Sequence, residues 1–129
     1  QLLCDRIEAT AARALQVPPL AEHAPALLHA LQQVRAATQA AWASGNPQEA
    51  LANAVPYMQA FGHTVLAWVW LDVALATLRA DATLSIAASA GRMGAARYFY
   101  HYELPKIGAW LNVVNSRDTI CAALSEAAF

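Results

Sequence analysis

The residues that could perform chemistry are few and widely separated in this sequence. Di-metal sites in helical bundles use Glu-x-x-His pairs on facing helices, and no glutamate here has a histidine three residues later. Glu22 and His23 are adjacent, which places them on different helix faces, and Glu103 follows His101. We therefore expect no carboxylate-bridged metal. Single histidines are more typical of surface or hydrogen-bonded core positions than of ligands, and all four are single: His23, His29, His63 and His101.

Signatures of nucleophilic catalysis and phosphate binding are also missing from the sequence. There is no Gly-x-Ser-x-Gly elbow, and the segment from Gly91 to Gly94 lacks the Gly-Lys-Ser/Thr that grips phosphate. Ala87, Gly91 and Ala95 recur every four residues, and this spacing predicts close packing against another helix. We predict no catalytic, cofactor-binding or metal-ligating residue in the chain.

Composition excludes several function classes. Charged residues make up 13% of the 129 positions and hydrophobic residues 58%, which excludes a disordered segment. A formal net charge of −1 provides no basic field for nucleic acid. The two cysteines, Cys4 and Cys121, form no Cys-x-x-Cys pair, so neither a disulfide scaffold nor a zinc ribbon is expected. A reduced, cytoplasmic setting fits best.

The scarcity of charge has a second implication. The chain contains 32 alanines and only 8 basic and 9 acidic residues, too few to cover the surface of a small monomer with polar groups. We therefore expect some apolar surface to face a partner. The first residue, Gln1, is compatible with a piece of something longer and also with a processed terminus.

Helix-favouring residues dominate and predict an all-α fold. A first helix is expected from Leu3 to Gln16, before Pro18 and Pro19. A second opens near Pro25 and closes at Gly45. In the next segment Asn46 is predicted as N-cap, Pro47 as the first helical residue, and Glu49 as able to reach back to the cap amide.

The second half of the chain predicts two long helices. The third helix would run from Pro47 to Ala80 with a kink at Pro56. The fourth would run from an Asp81 N-cap to Glu103, bend at Pro105 and continue through Val114. A last turn, begun by Ser116 or Asp118, would follow in the tail. Short connections favour one domain, 1–129, folded as an up-and-down antiparallel bundle of four main helices.

The third predicted helix raises the question of a membrane span. Ala60 to Leu78 is nineteen residues with only His63 and Asp72 ionisable, long enough for a bilayer core of about 30 Å. Asp72 near its centre costs about 2.5–3.5 kcal/mol on insertion scales. The central helix of a soluble bundle is therefore the preferred interpretation, and a membrane-embedded bundle is the competing one.

Asp72 lies among apolar neighbours, where an unpaired carboxylate is costly. One interpretation is a boundary residue whose oxygens reach water. The other is a pair with Arg97 or His101 across the hairpin of the third and fourth helices.

Large rings surround two predicted helices. The segment Arg97 to Tyr102 carries rings on every side, and the third helix contributes Tyr57, Phe61, Trp68 and Trp70. Either the bundle covers these rings itself, or one ring face docks on another protein.

Several ordered pieces of the sequence resemble the C-terminal extension of larger bacterial acyl-CoA dehydrogenases. The resemblance is best from Val55 to Leu111 and extends more weakly from Ala24 to Phe129. It rests on the order and spacing of these pieces: Pro56-Tyr57-Met58-Gln59-Ala60-Phe61-Gly62-His63, Leu66-Ala67-Trp68-Val69-Trp70-Leu71, Gly94-Ala95-Ala96-Arg97-Tyr98-Phe99, Glu103-Leu104-Pro105 and Ala109-Trp110-Leu111.

This resemblance implies a parent flavoenzyme. In that family FAD takes a hydride from the β-carbon of an acyl-CoA, a glutamate takes the α-proton, and electrons leave through an electron-transfer flavoprotein. The glutamate and most flavin contacts precede the extension, so no catalytic residue is carried onto this chain. The implied function is an accessory domain, inactive alone, that packs on the dehydrogenase core or a subunit interface and could form a homo-oligomer. A free-standing helical interaction module is the alternative.

Overall fold

The computed structural model describes residues 1–80 and 83–129, and 82% of these residues are helical. No strand occurs in the described part, so the predicted all-α class is confirmed. The predicted N-cap Asp81 lies outside the described residues.

Two helices form the N-terminal half. Helix α1 spans Leu2–Leu15, and a 3₁₀ turn at Pro18–Leu20 follows because neither proline can continue an α-helix. Helix α2 spans His23–Ala41, so it begins two residues before Pro25 and ends four before Gly45. Gly45 adopts φ +72°, a conformation that glycine reaches without steric cost, and it reverses the chain after α2.

The third predicted helix divides into two. Asn46 caps the short helix α3 (Pro47–Ala50) as predicted, accepting a hydrogen bond from the Gln48 amide at 3.0 Å. The Asn46 amide donates to Ser44 Oγ at 3.2 Å. The predicted contact from Glu49 back to the Asn46 amide is therefore replaced by this hydrogen bond to Ser44.

Helix α4 spans Ala54–Arg79 and is the longest element described. Pro56 lies in its first turn, where a missing amide donor costs little. The interruption predicted at Pro56 accordingly occurs earlier, at residues 51–53.

The fourth predicted helix is a series of shorter elements. Helix α5 spans Ile86–Tyr98, a π-helical segment spans Phe99–Glu103, and a 3₁₀ turn at Leu104–Lys106 contains Pro105. Helix α6 then spans Ile107–Ser116. Helix α7, Ile120–Ala123, follows the Asp118 carboxylate, which accepts from the Ile120 amide at 2.8 Å, and a 3₁₀ turn at Glu126–Ala128 closes the chain. Of the two residues predicted to begin a last turn, Ser116 and Asp118, Asp118 is the one that accepts from the first amide of α7.

Helix α4 is the central element of the packing. It contacts α1, α2, α5 and α6, and α2 also contacts α6. Ala60, Ala67 and Ala74 recur every seven residues on its inner side and are completely buried. Nine of the 22 buried hydrophobic residues are alanines. Small side chains therefore fill much of the core, while many large ones lie outside it.

Candidate functional site

The most distinctive surface of the molecule is one side of α4. Val55, Met58, Leu66 and Val69 are 73%, 58%, 47% and 44% exposed. At 3.6 residues per turn these four positions, with Gly62, fall within an arc of about 80°. Val73 and Ala76 continue the same arc. We call these seven residues the outer face of α4; it contains no charged side chain.

The sequence positions this face by placing small residues on the opposite side of the helix. Ala60, Ala67 and Ala74 let the neighbouring helices approach α4 closely, which buries its inner side. The outer face itself is also apolar. A Cβ atom built on Gly62 would meet nothing within 4 Å, so the centre of the outer face is open to an approaching group.

Asp72 lies at the border of the outer face and pairs with a residue that the sequence analysis did not consider. Its Oδ1 is 3.2 Å from Nη2 of Arg13 on α1, and both side chains are half-exposed. The predicted pairing with Arg97 or His101 is wrong. The interpretation of Asp72 as a boundary residue with oxygens in water agrees with its exposure.

The rings predicted around residues 97–102 are distributed between core and surface. Phe99 and Tyr100 are buried, whereas Tyr98 and Tyr102 are exposed and stack with ring centroids 4.9 Å apart. The Tyr100 hydroxyl donates to the Ala67 carbonyl at 2.8 Å, and burial raises the pKa of this hydroxyl above its usual value of 10.0. The stretch from Tyr98 to Tyr102 therefore anchors one ring pair in the core and presents the other to solvent.

The aromatic residues of α4 point largely inward. Tyr57, Phe61, Trp68 and Trp70 are partly buried and pack against the core. The Trp68 indole N–H donates to Thr10 Oγ1 at 2.8 Å. The exposed surface of α4 is thus largely aliphatic, and the rings of α4 agree with the first of the two interpretations, that the bundle covers them itself. The spacing of Val55, Met58, Leu66 and Val69 is the sequence signal that could have identified it.

A polar cluster joins α4 to the segment before α6. His63 Nε2 is 3.3 Å from Glu103 Oε2, and Lys106 Nζ donates to the same oxygen at 2.9 Å. The hydrogen bonds from Lys106 and then His63 lower the pKa of Glu103 below its usual 4.5. The His63 ring also lies edge-on to Trp110, with centroids 4.7 Å apart. This cluster fixes the π-helical segment against α4, and sequence separation hid it from prediction.

Within the described residues, the close helix packing predicted for Ala87, Gly91 and Ala95 is not formed at the first two of these positions. Ala87 and Gly91 are exposed, and a Cβ built on Gly91 would meet nothing within 4 Å. The buried residue of α5 is Ala96. The contact between α5 and α4 uses a neighbouring side of α5, where Ala96 is buried and Met93 packs against the core.

The histidines lie apart from one another except at one place. His23 is buried and stacks on Tyr100 with ring centroids 4.5 Å apart. The His101 ring lies edge-on to the His23 ring, with centroids 6.5 Å apart. His29 is exposed. In the part of the chain that the structure describes, no three His, Cys, Asp or Glu side chains form a group that could hold a metal ion.

Between Gly91 and Gly94 the described residues form no turn that could bind the phosphates of a flavin nucleotide. Gly91 and Gly94 lie inside α5, where backbone amides donate within the helix. These glycines therefore do not fit a phosphate-binding role.

Helix α4 is long and apolar enough to cross a membrane by length and composition alone. About a third of its most apolar window is buried against the other helices. A central core helix meets the same criteria, so this observation is weak evidence for a span.

The fold and surface together define a class of protein: an all-helical domain with a small-residue core and an uncovered aliphatic face. Comparison with family models identifies the family within that class. The chain belongs to the family described as acetyl-CoA dehydrogenase C-terminal like, whose model matches residues 3–125. The resemblance predicted from the sequence is confirmed. Comparison with curated proteins and with solved structures finds no match.

Proposed function

We propose that this chain is the accessory C-terminal domain of an FAD-dependent acyl-CoA dehydrogenase and packs through the outer face of α4 on the dehydrogenase core. Family membership supports the parent enzyme class. The single observation that supports the packing role is the uncharged arc from Val55 to Ala76, in which four of the seven residues are large exposed hydrophobic side chains.

The size of this face favours a tethered partner over a free one. Val55 and Ala76 are 21 positions apart, which corresponds to about 32 Å along a helix about 10 Å wide, or roughly 300 Å². A patch of this size on a monomer is often functional. Stable complexes between separate proteins bury about 800 Å² per partner. A partner in the same chain needs less area because the linkage raises its effective concentration into the millimolar range.

Catalysis in this proposal belongs to the parent enzyme. FAD bound elsewhere in the parent would accept the hydride from the acyl-CoA thioester, and this chain would supply no catalytic residue. Its role is to cover apolar core surface or extend a subunit interface. Alone it is inactive. The proposal places it in fatty acid metabolism in the cytoplasm, as one helical domain, 1–129, at the C-terminal end of a longer flavoprotein.

The packing order within the domain is part of the proposal. Helix α1 contacts α2, α2 contacts α4, and α4 contacts both α5 and α6. Short connections between these elements support antiparallel neighbours in an up-and-down bundle of four main helical segments. In this proposal the α5–π–α6 series is the fourth segment and bends at Pro105, which lies in the 3₁₀ turn.

A matched pair of substitutions in the full-length parent tests the packing role. Val69 on the outer face and Val113 on α6 are 44% and 46% exposed. Val69→Lys should lower the melting temperature of the parent and speed proteolysis between core and domain, because it places a charge in an apolar contact. Val113→Lys should change neither. Equal effects of the two substitutions would contradict packing through the outer face.

The parent enzyme class is tested separately from the packing role. The reading frame upstream of Gln1 should continue into a flavoprotein core. A stop codon or an unrelated domain there would favour the alternative, a free-standing module whose exposed Tyr98 and Tyr102 rings bind a partner helix. Extraction only with detergent would favour a membrane-embedded bundle.

A further inference from the structure

A second apolar feature lies away from the outer face, in a crevice between α1, α2 and the first half of α4. Its volume is about 310 Å³. The floor consists of side chains that are almost fully buried, Ile7, Val34 and Thr64. Tyr57 and Phe61 form one wall. We call it the three-helix crevice.

The crevice presents hydrocarbon and ring surface because its hydroxyl groups already have partners. Thr64 Oγ1 donates to the Ala60 carbonyl at 2.9 Å, and Thr38 Oγ1 donates to the Val34 carbonyl at 2.8 Å. The Tyr57 hydroxyl lies 2.9 Å from Thr38 Oγ1. No buried side-chain polar atom of the described residues is left without a partner. A ligand body that enters the crevice therefore has to be apolar.

The size of the crevice suits a chain of moderate length. An apolar cavity of about 150 Å³ holds one benzene ring. A crevice of 310 Å³ is about twice that volume, which corresponds to a chain of roughly ten to twelve carbons. It also lies at the lower end of the range for small-molecule sites, about 300 Å³.

The rim carries the charge that would select a head group. Arg35 and Gln39 lie at the edge of the crevice and are exposed. Arg35 Nη1 is 3.2 Å from Glu8 Oε1, and both side chains are half-exposed. Such a surface pair contributes at most about 1 kcal/mol, and a guanidinium has five N–H donors. Arg35 can therefore bind a second carboxylate without losing a strong interaction.

We propose that the three-helix crevice binds a single-chain anionic amphiphile, with the alkyl chain among Ile7, Phe61 and Thr64 and the anionic head at Arg35. The inference does not depend on the proposed function, because the crevice is separate from the outer face of α4. Decanoate is the probe, used below the concentration at which it forms micelles.

Titration calorimetry of the 129-residue protein tests the chemistry of the ligand. Decanoate should bind at least tenfold more tightly than decyltrimethylammonium, and decanol should lie between them. Arg35→Gln should weaken decanoate about tenfold and leave decanol within twofold. Glu8→Gln should strengthen decanoate, because it removes the competing carboxylate. Equal affinity for the anionic and cationic amphiphiles would overturn the proposal.

A matched pair of valine substitutions tests the location. Val65 lines the crevice, whereas Val113 lies on α6 outside it. Val65→Trp should weaken decanoate at least tenfold by filling the space, and Val113→Trp should stay within twofold of the unsubstituted protein. Equal losses in the two variants would show that decanoate binds elsewhere.

The two cysteines provide a test that needs no substitution. Cys4 lines the crevice and is partly buried, while Cys121 is exposed near the C-terminal end. Decanoate should slow the alkylation of Cys4 by N-ethylmaleimide at least threefold, measured by peptide mass spectrometry. Cys121 should react at an unchanged rate. An unchanged rate at Cys4, or equal slowing at both cysteines, would overturn the proposal even if Val65→Trp fails to fold.

Discussion

Protonation of the buried His23 should weaken folding, because burial disfavours the charged ring. Burial lowers its pKa below the usual 6.5, Glu22 opposes this shift, and His101 and Arg97 add to it. Because the folded state disfavours the charged ring, the stabilisation present above pH 6.5 should be lost as the pH falls through the depressed folded-state pKa.

Urea unfolding between pH 7 and pH 5 measures this effect. The free energy of unfolding should decrease toward pH 5 in the unsubstituted protein, and His23→Gln should flatten the dependence. His29→Gln is the control because His29 is exposed. A steep dependence that survives His23→Gln would contradict the assignment. Because the pKa of Glu103 is lowered, its protonation affects the free energy of unfolding only at lower pH, below 4.5.

The partner of Asp72 determines how much the free energy of unfolding should fall when the Asp72 carboxylate is removed. With Arg13 at 3.2 Å and both side chains half-exposed, solvent screens the pair. Asp72→Asn should therefore change the free energy of unfolding by less than about 1 kcal/mol, as measured in urea. Glu8→Gln, which breaks the equally exposed Arg35 pair, should have a similar effect. A loss of several kcal/mol at Asp72 alone would indicate a buried pair.

At the scale of elements, α5 depends on its cap. Ser85 Oγ accepts from the Ala88 amide at 3.1 Å, and Ala96 is the only residue of this helix that is buried. With little packing to hold it, Ser85→Ala should destabilise the start of α5 by about 1 kcal/mol. Amide hydrogen exchange in residues 86–92 should become faster by about fivefold. Ser89→Ala, inside the helix, should not accelerate exchange, and equal acceleration would contradict the cap.

For the whole molecule, the outer face of α4 predicts weak self-association. When the dehydrogenase core is absent, two copies can cover each other's exposed Val55, Met58 and Val69. The mass measured by light scattering should rise with protein concentration. Val69→Lys should suppress this rise and Val113→Lys should not. A protein that stays monomeric at every concentration would contradict the docking role of this face.

Local chemistry made part of the structure predictable from sequence. The Asn46 cap and the Asp118 turn depend on residues within two positions of one another. The sequence predicts the cap directly and gives Asp118 as one of two candidates for the turn. The family was predicted from ordered motifs, and the excess of apolar surface from the charge deficit. The residues that form this surface were not predicted, because the prediction rested on the aromatic residues of α4 and not on the spacing of its aliphatic residues.

Long-range geometry accounts for what could not be predicted. Asp72 and Arg13 are 59 positions apart, and His63 and Glu103 are 40 apart. Neither pair has a local signature. The three-helix crevice requires the crossing of three helices, and periodicity in one helix contains no information about the space left between several.

The alanines at positions 60, 67 and 74 have a consequence for how the protein tolerates sequence change. Where a core is filled by methyl groups, shortening a side chain removes little, whereas lengthening one forces two helix axes apart. Saturation mutagenesis of this domain should therefore give an asymmetric map, with bulky replacements at these three positions depleted more strongly than glycine at the same positions.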